Sequence, residues 1–290
     1  MPAHDRQAPE QDGSTLSAAP SHAPKANKDL EKDLTLLESR VRAAGKIALN
    51  YFGGSYKRWS KEGGSPVTEA DLAIDSFLKT ELLQARSDYG WLSEESVDDP
   101  ARLTRLRTFV VDPIDGTVAF MKGRPHFTIC AGIVEAGRAV AGVVFNPARD
   151  ECFIAASGQG ARLNGETIGV GHASEIEGIR LLGDRKLFAE WPPMQIESLS
   201  SIAYRIVLVA AGRFDAMISL TVKRDWDMAA ADIILAEAGG KLVGGDGLPL
   251  RYNNAQAIQG ATIAAGPELI GPLLAQLAAK NSLKNAAKSL

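Results

Sequence analysis

The early part of the chain carries apolar residues at steps of three and four, a period typical of helices that bury one face. The first helix is predicted to begin at Asp29 and to end before Gly53, because glycine favours helix termination. A second helix is predicted from about Thr68, where TEAD has the form of a capping box. Two helices are therefore expected before any clear strand. Their apolar faces consist of Leu30, Leu34, Leu37, Val41, Ala44, Ala48 and Tyr51 in the first helix and of Ile74, Phe77, Leu78 and Leu82 in the second.

From Phe109 the pattern changes to β-rich runs. These runs are TFVVD, HFTICAGIV, AVAGVVF and CFIAA. Short turns occur at EAGR and NPARD, and connections this short permit only antiparallel pairing. From about residue 170, strands alternate with helices, as in IRLL, SSIAYRIVLVAAG, FDAMISL, WDMAAADIILAEAGG and KLVG. The chain is therefore expected to mix α+β and α/β architecture, with a seam near 165–180.

The domain organisation follows from these changes of pattern. We predict a disordered tail over 1–28, which holds four prolines and no apolar core of a secretory signal. An N-terminal α+β subdomain with an antiparallel sheet is predicted over 29–168, and a C-terminal α/β subdomain over 169–278. Residues 279–290 are predicted to be a basic tail.

The composition is that of an ordinary globular protein, since 45% of the 290 residues are hydrophobic and 23% are charged. A net charge of −3 gives no basic excess, so neither direct nucleic-acid binding nor membrane-surface binding is expected. Cys130 and Cys152 lie in predicted strands, and we expect buried thiols in a reducing, cytoplasmic compartment. No apolar run approaches the roughly 20 residues that a spanning helix requires.

Several catalytic signatures are absent from the sequence. Only His126 and His172 lie outside the predicted tail, and neither belongs to an HExxH motif. GxSxG, GxxxxGK[ST] and a GxGxxG after a strand are also missing. Serine-hydrolase, histidine-rich zinc, P-loop and dinucleotide chemistry are therefore disfavoured.

The segment VVDPIDGT at 110–117 places two carboxylates at the end of a predicted strand. Pro113 restricts the backbone and Gly116 permits a sharp turn, so Asp112 and Asp115 can be held on one side. Two acids so constrained repel each other, and a hard divalent cation such as Mg²⁺ would remove that repulsion. The alternative is a tight turn with solvated acids.

Two further acidic segments have alternative structural explanations. Glu94 and Glu95 in WLSEES follow a short apolar step, and adjacent acids often form only a solvated turn. Asp225 and Asp227 flank Trp226 at the start of an apolar helix, where an aspartate can be an ordinary N-cap.

Four motifs together resemble the inositol monophosphatase family: SPVTEAD at 65–71, LSEES at 92–96, DPIDGT at 112–117 and WDMAAADIILAEAGG at 226–240. The resemblance covers about 29–275 and implies a layered αβαβα sandwich of the inositol monophosphatase and fructose-bisphosphatase type. It implies a Mg²⁺-dependent, lithium-sensitive phosphomonoesterase that acts by metal-activated water. The family includes inositol monophosphatases, 3′(2′),5′-bisphosphate nucleotidases of the CysQ type and histidinol phosphatases.

The resemblance also implies roles for individual residues. Two or three Mg²⁺ ions are expected per site. Asp71, Glu94 and Thr117 resemble the catalytic residues that position the attacking water, although Asp71 also has a capping-box explanation. The amides of Gly116 and Thr117 are expected to bind phosphate. The metal ligands implied are Glu94, Asp112, the Ile114 carbonyl, Asp115 and Asp227.

The resemblance implies a small phosphorylated metabolite as the substrate, and its identity stays open. Leu220 stands where animal-type inositol monophosphatases carry a glutamate, which disfavours simple inositol specificity. Lys223 and Arg224, like Lys122 and Arg124, could bind a second anionic group or be solvated cations. The family implies a homodimer. Some bacterial relatives act in RNA-polymerase and ribosomal-RNA transcription complexes, which provides a non-enzymatic alternative.

Overall fold

A computed structural model of the chain describes the backbone of residues 23–61 and 64–288, with side-chain environments for 28–61 and 64–279. The helices are α1 (Ala23–Tyr51), α2 (Glu69–Ala85), α3 (Thr117–Met121), α4 (Ile202–Ala210), α5 (Asp225–Glu237) and α6 (Pro267–Lys288). The strands are β1 (Arg58–Ser60), β2 (Pro66–Thr68), β3 (Gly90–Ser93), β4 (Arg107–Asp115), β5 (Thr128–Glu135), β6 (Arg138–Asn146), β7 (Glu151–Ala156), β8 (Ala161–Leu163), β9 (Glu166–Thr167), β10 (Arg180–Leu182), β11 (Gln195–Glu197), β12 (Ala216–Ser219), β13 (Lys223–Arg224), β14 (Lys241–Gly244), β15 (Ile258–Gln259) and β16 (Thr262–Ala265).

A seven-stranded sheet forms the first β layer, in the order β3-β4-β5-β6-β7-β8-β9. Strands β5 to β7 pair antiparallel, as the short turns predicted. Strand β4 pairs antiparallel with β5 although α3 lies between them, whereas β3 pairs parallel with β4. One face of this sheet packs against α1 and α2 through a core that includes Leu37, Ile74 and Phe109. The opposite face packs against α4 and α5 through Val110, Val207 and Ile234.

A five-stranded sheet forms the second β layer, in the order β11-β10-β12-β16-β14. Met217 and Ala264 of this sheet belong to the core that contains α4 and α5. Its other face packs against α6 through a core that includes Ile263 and Leu273. The layers therefore alternate as αβαβα, which confirms the predicted fold.

Two glycines bring α5 close to the large sheet and so determine where its first turn lies. A Cβ added at Gly132 would lie 3.1 Å from the backbone nitrogen of Ala230, and one at Gly142 would overlap the Ala230 carbonyl. Because the helix rests on these two positions, its N-terminus is held beside the end of β4.

The ends of the chain and the first hairpin differ from the predictions. The first helix begins at Ala23 rather than Asp29, and α6 continues to Lys288 through most of the predicted basic tail. An apolar stripe marks only the packed part of a helix, and helix-forming residues extend it beyond that part. Residues 1–22 of the predicted N-terminal tail lie outside the described residues.

The β1–β2 hairpin lies between α1 and α2, where no strand was expected. Its three-residue strands are too short for an alternating pattern to be recognised, and β1 is exposed throughout. Cys130 and Cys152 are buried and unpaired, as predicted. No helix in the described part of the chain is long and apolar enough to cross a membrane.

Candidate metal centre

The end of β4 forms the base of the site. Asp112 Oδ1 accepts a hydrogen bond of 3.0 Å from the Ile114 amide, and the pairing of β4 with β5 shifts register between Asp112 and Asp115. Gly116 then adopts φ 94°, a left-handed conformation that favours glycine, and Thr117 begins α3. The sharp turn expected from DPIDGT is therefore present.

Three carboxylates from separate elements meet at this edge. Glu94 follows β3, Asp112 belongs to β4 and Asp227 lies in the first turn of α5, and one oxygen of each lies within 4.8 Å of the others. The parallel pairing of β3 and β4 aligns Ser93 with Val111, so their following acids reach the same edge. The site thus depends on all three elements.

The two acids that flank Trp226, Asp225 and Asp227, have different roles. Asp225 is buried and accepts hydrogen bonds from the Asn253 amide at 2.6 Å and from Gln259 Nε2 at 2.7 Å. Asp227 Oδ2 accepts one from the Arg224 amide at 2.8 Å, in the manner of a helix cap, and Asp227 also joins the carboxylate group. Capping and participation in the site therefore coexist in Asp227.

Burial and mutual repulsion make these carboxylates reluctant to ionise. Burial raises the pKa of Asp112 well above its ordinary value, and Glu94, Asp115 and Asp227 raise it further. Burial likewise raises the pKa of Asp227 to about 7, with Asp115 as the strongest neighbouring charge. A divalent cation bound here would favour the charged forms of these groups.

Asp71 lies at the edge of the same site. Its Oδ2 accepts hydrogen bonds from the Thr68 amide at 2.8 Å and from Thr68 Oγ1 at 2.5 Å, which confirms the predicted capping interaction. Thr117 Oγ1 lies 3.4 Å from Asp71 Oδ1 and donates to the Ile114 carbonyl at 3.0 Å. Burial raises the pKa of Asp71 to about 6 although the Thr68 bonds lower it.

Asp115 is directed toward the start of α4. Its Oδ2 accepts hydrogen bonds from Ser201 Oγ at 2.6 Å and from the Ala203 amide at 2.7 Å. Burial raises its pKa to about 6, and these bonds partly offset the rise. Asp115 affects the pKa of Asp112 and Asp227, so it lies near them, but it is not one of the three grouped carboxylates.

Lys61 is a site residue that the sequence analysis missed. Its ammonium donates to Glu94 Oε1 at 2.8 Å and to Glu95 Oε1 at 2.7 Å. Burial lowers the pKa of Lys61, but the two glutamates outweigh it and the net pKa is raised. Burial raises the pKa of Glu95 to about 7 despite the Lys61 bond. Lys61 directly follows β1. The pairing of β1 with β2 has no clear sequence signal, so nothing predicted that Lys61 reaches the site.

The cations proposed for substrate contact lie in different environments. Lys223 is half-buried, donates to Thr221 Oγ1 at 3.0 Å and lowers the pKa of Asp227, so it lies beside the site. The Arg224 guanidinium instead donates to the Gln256 carbonyl at 3.0 Å and lies 5.9 Å from the Trp226 ring.

The other two proposed cations, Lys122 and Arg124, follow α3 and are exposed. Leu220 is 38% exposed just after β12. The side chains of Lys122, Arg124 and Leu220 are therefore all accessible to solvent.

The donor set has the chemistry of a hard-cation site. The side chains of Glu94, Asp112 and Asp227 all offer carboxylate oxygens. The Ile114 carbonyl lies two residues after Asp112 at the end of β4. Oxygen ligands of this kind suit Mg²⁺ rather than softer metals. The residues present therefore fit a magnesium centre.

Comparison with known proteins places this geometry in context. A sequence profile of the Inositol monophosphatase family matches residues 29–282. The chain is 31% identical over 262 residues to an inositol-1-monophosphatase of Rhizobium meliloti, covering 84% of this chain and 95% of that protein. It is 29% identical to the Nus factor SuhB of Pasteurella multocida, covering 82% and 94%. An IMPase structure from Thermotoga maritima aligns with a TM-score of 0.75 at 27% identity, covering 89% and 99%.

Proposed function

The chain belongs to the inositol monophosphatase family, and on that premise we propose that it is a Mg²⁺-dependent phosphomonoesterase acting on a small phosphorylated metabolite. The observation that carries the proposal is the group formed by Glu94, Asp112 and Asp227. When bound, Mg²⁺ would neutralise phosphate charge and lower the pKa of an attacking water. A cytoplasmic location, lithium sensitivity and a homodimer remain part of the proposal.

The protein's own residues would divide the remaining work. Asp112, Glu94 and Asp227 would hold the metal, with Asp115 and the Ile114 carbonyl as further oxygen ligands. Thr117 and Asp71, 3.4 Å apart, would orient the attacking water, since one is a hydroxyl and the other an acceptor. The Gly116 and Thr117 amides would bind a phosphate oxygen. Lys223 and Arg224 would approach the substrate from β13, directly before α5.

A substrate panel tests the proposal directly. Phosphate release from inositol 1-phosphate, 3′-phosphoadenosine 5′-phosphate and histidinol phosphate is measured with Mg²⁺ and with a chelator. We expect Mg²⁺-dependent release from one of them, and no release from any would contradict the phosphatase assignment. Leu220→Glu should raise kcat/KM for inositol 1-phosphate about fivefold, because a new hydrogen bond contributes about 1 kcal/mol. Leu248→Glu, at an exposed position of another loop, is the control.

A second candidate function comes from the Nus factor SuhB relatives, which favour a role in transcription. Affinity capture with the wild-type protein and with Asp112→Asn separates the two. Capture of RNA polymerase by both proteins, without phosphate release by the wild type, would favour the second candidate.

A further inference from the structure

Two serines flank the Glu94–Glu95 pair, and both donate to a single carboxylate on α2. Ser93 Oγ donates to Asp75 Oδ1, and Ser96 Oγ donates to Asp75 Oδ2 at 2.5 Å. Asp75 is 7% exposed. Its two oxygens therefore hold both ends of the turn that presents Glu94.

The surrounding contacts orient this turn further. Trp91 Nε1 donates to Ser96 Oγ at 3.2 Å, which directs the serine proton toward Asp75. The Glu94 amide donates to the Val111 carbonyl at 3.3 Å and ties the turn to β4. The turn is thus attached to two separate elements, α2 and β4.

Asp75 also relates Glu94 to Asp71. The two aspartates are four residues apart on α2, so they lie on one face of the helix. Asp71 contacts Thr117 at the helix start, while Asp75 holds the Glu94 turn one helical turn later. Helix α2 therefore sets the positions of both Asp71 and Glu94.

The need for such an attachment is electrostatic. Glu94 lies beside Asp112 and Asp227, whose negative charges repel it, and its side chain is 23% exposed. Lys61 draws Glu94 toward the hairpin side. A turn without the Asp75 bonds could relieve the repulsion by carrying Glu94 into solvent.

We propose that Asp75 is a positioning residue that holds Glu94 in the carboxylate group and thereby sets the affinity of the site for its metal. The inference rests on the proposed function, because it concerns the same site. Asn at position 75 keeps the side-chain volume but replaces one carboxylate oxygen with an NH₂ donor, so the serine that faces this group loses its acceptor. We expect Asp75→Asn to weaken Mg²⁺ binding about tenfold, the lower end of the range for direct partners of metal ligands, because Asp75 acts on Glu94 through the flanking serines.

The test uses isothermal titration calorimetry to measure how tightly the full-length protein and each variant bind Mg²⁺ alone. The melting temperature of each variant is measured in parallel. Ser96→Ala should weaken binding in the same direction as Asp75→Asn, and Ser96→Thr should restore it because the hydroxyl is kept. Asp33→Asn is the matched control, since Asp33 is a buried helical carboxylate with several donors but lies away from the site. It should lower the melting temperature and leave the Mg²⁺ affinity unchanged.

Phosphate release provides the second readout. In Asp75→Asn the half-saturating Mg²⁺ concentration should rise about tenfold, while kcat at saturating Mg²⁺ should largely recover. Wild-type affinity in both Asp75→Asn and Ser96→Ala would overturn this inference and leave the proposed function intact. If Asp75→Asn does not fold, Ser96→Ala against Ser96→Thr decides the question. A wild-type protein that neither binds Mg²⁺ nor releases phosphate would overturn the proposed function, and this inference with it.

Discussion

Buried acids occur near both ends of β4, and they differ in how many positively charged partners they have. Near the start of β4, Asp33 of α1 is 1% exposed and accepts hydrogen bonds from Arg86 at 2.8 Å, Tyr89 at 2.7 Å and Arg107 at 3.1 Å. One carboxylate is thus met by two guanidinium groups and a hydroxyl. Such a cluster is compensated by the chain itself and needs no further ligand.

Near the other end of β4, the carboxylates of Glu94, Asp112 and Asp227 lie close together, and fewer positive charges balance them. Lys61 bonds to Glu94, and Lys223 lowers the pKa of Asp227, yet the pKa of Asp227 stays at about 7 and that of Asp112 stays well above its ordinary value. Acids placed together in this way destabilise the metal-free protein. Under the proposed function, this end of β4 receives a cation from outside, whereas the Asp33 end is compensated by the chain itself.

The strongest test of the contrast is Asp112→Asn. It removes a ligand charge with little change in volume, so we expect phosphate release to fall about 10³-fold, as loss of several kcal/mol of transition-state stabilisation would give. Mg²⁺ binding should be lost in calorimetry. The free energy of unfolding without metal should stay equal or rise, because one repelling charge is gone. Near-normal activity would refute the metal assignment.

Asp33→Asn should have the opposite profile. Arg86 and Arg107 would lose their charged partner, and we expect about 2 to 3 kcal/mol of destabilisation in urea unfolding, somewhat below the value for a fully buried pair because Arg86 is 30% exposed. Mg²⁺ affinity should not change.

The matched surface control for this variant is Asp150→Asn. Asp150 is 84% exposed and lies 3.7 Å from Arg42, so its loss should change stability by less than about 0.5 kcal/mol. Equal destabilisation by Asp33→Asn and Asp150→Asn would remove the distinction between the two ends of β4.

Sequence patterns predicted the parts of the fold that depend on local periodicity. The capping interaction of Thr68 with Asp71 and the antiparallel strands β5 to β7 are present as expected. Helix ends were less predictable, because α1 and α6 extend beyond their apolar stripes. The β1–β2 hairpin was missed since three-residue strands have no readable period.

The site was predictable where its acids stand in motifs and not where contacts are long-range. The resemblance carried by LSEES, DPIDGT and WDMAAADIILAEAGG implied Glu94, Asp112 and Asp227 as metal ligands, and the structure brings them together. Lys61 is 33 residues from Glu94, and nothing local signals their contact. Asp75 had an available signal: an acid next to Ile74 on the buried face of a helix needs partners.

A further expected effect is a pH dependence at the metal end of β4. Burial raises the pKa of Asp227 from 3.8 to about 7, so the folded metal-free protein keeps this proton at a pH where the unfolded chain has lost it. The free energy of unfolding without metal should therefore fall as pH rises from about 4 to about 7. Because Mg²⁺ must displace the same proton, its apparent affinity should rise about fivefold between pH 6 and pH 7.

Calorimetry in two buffers of different ionisation enthalpy measures both the affinity and the protons released. Asp33→Asn should keep the slope of the wild type, since its cluster lies away from the metal site, whereas Asp112→Asn should bind too weakly to show one. An affinity that does not vary between pH 6 and pH 7 would mean that the carboxylates are already ionised without metal. A raised pKa would then no longer distinguish the metal end of β4 from the Asp33 end, and the contrast would rest on hydrogen-bond partners alone.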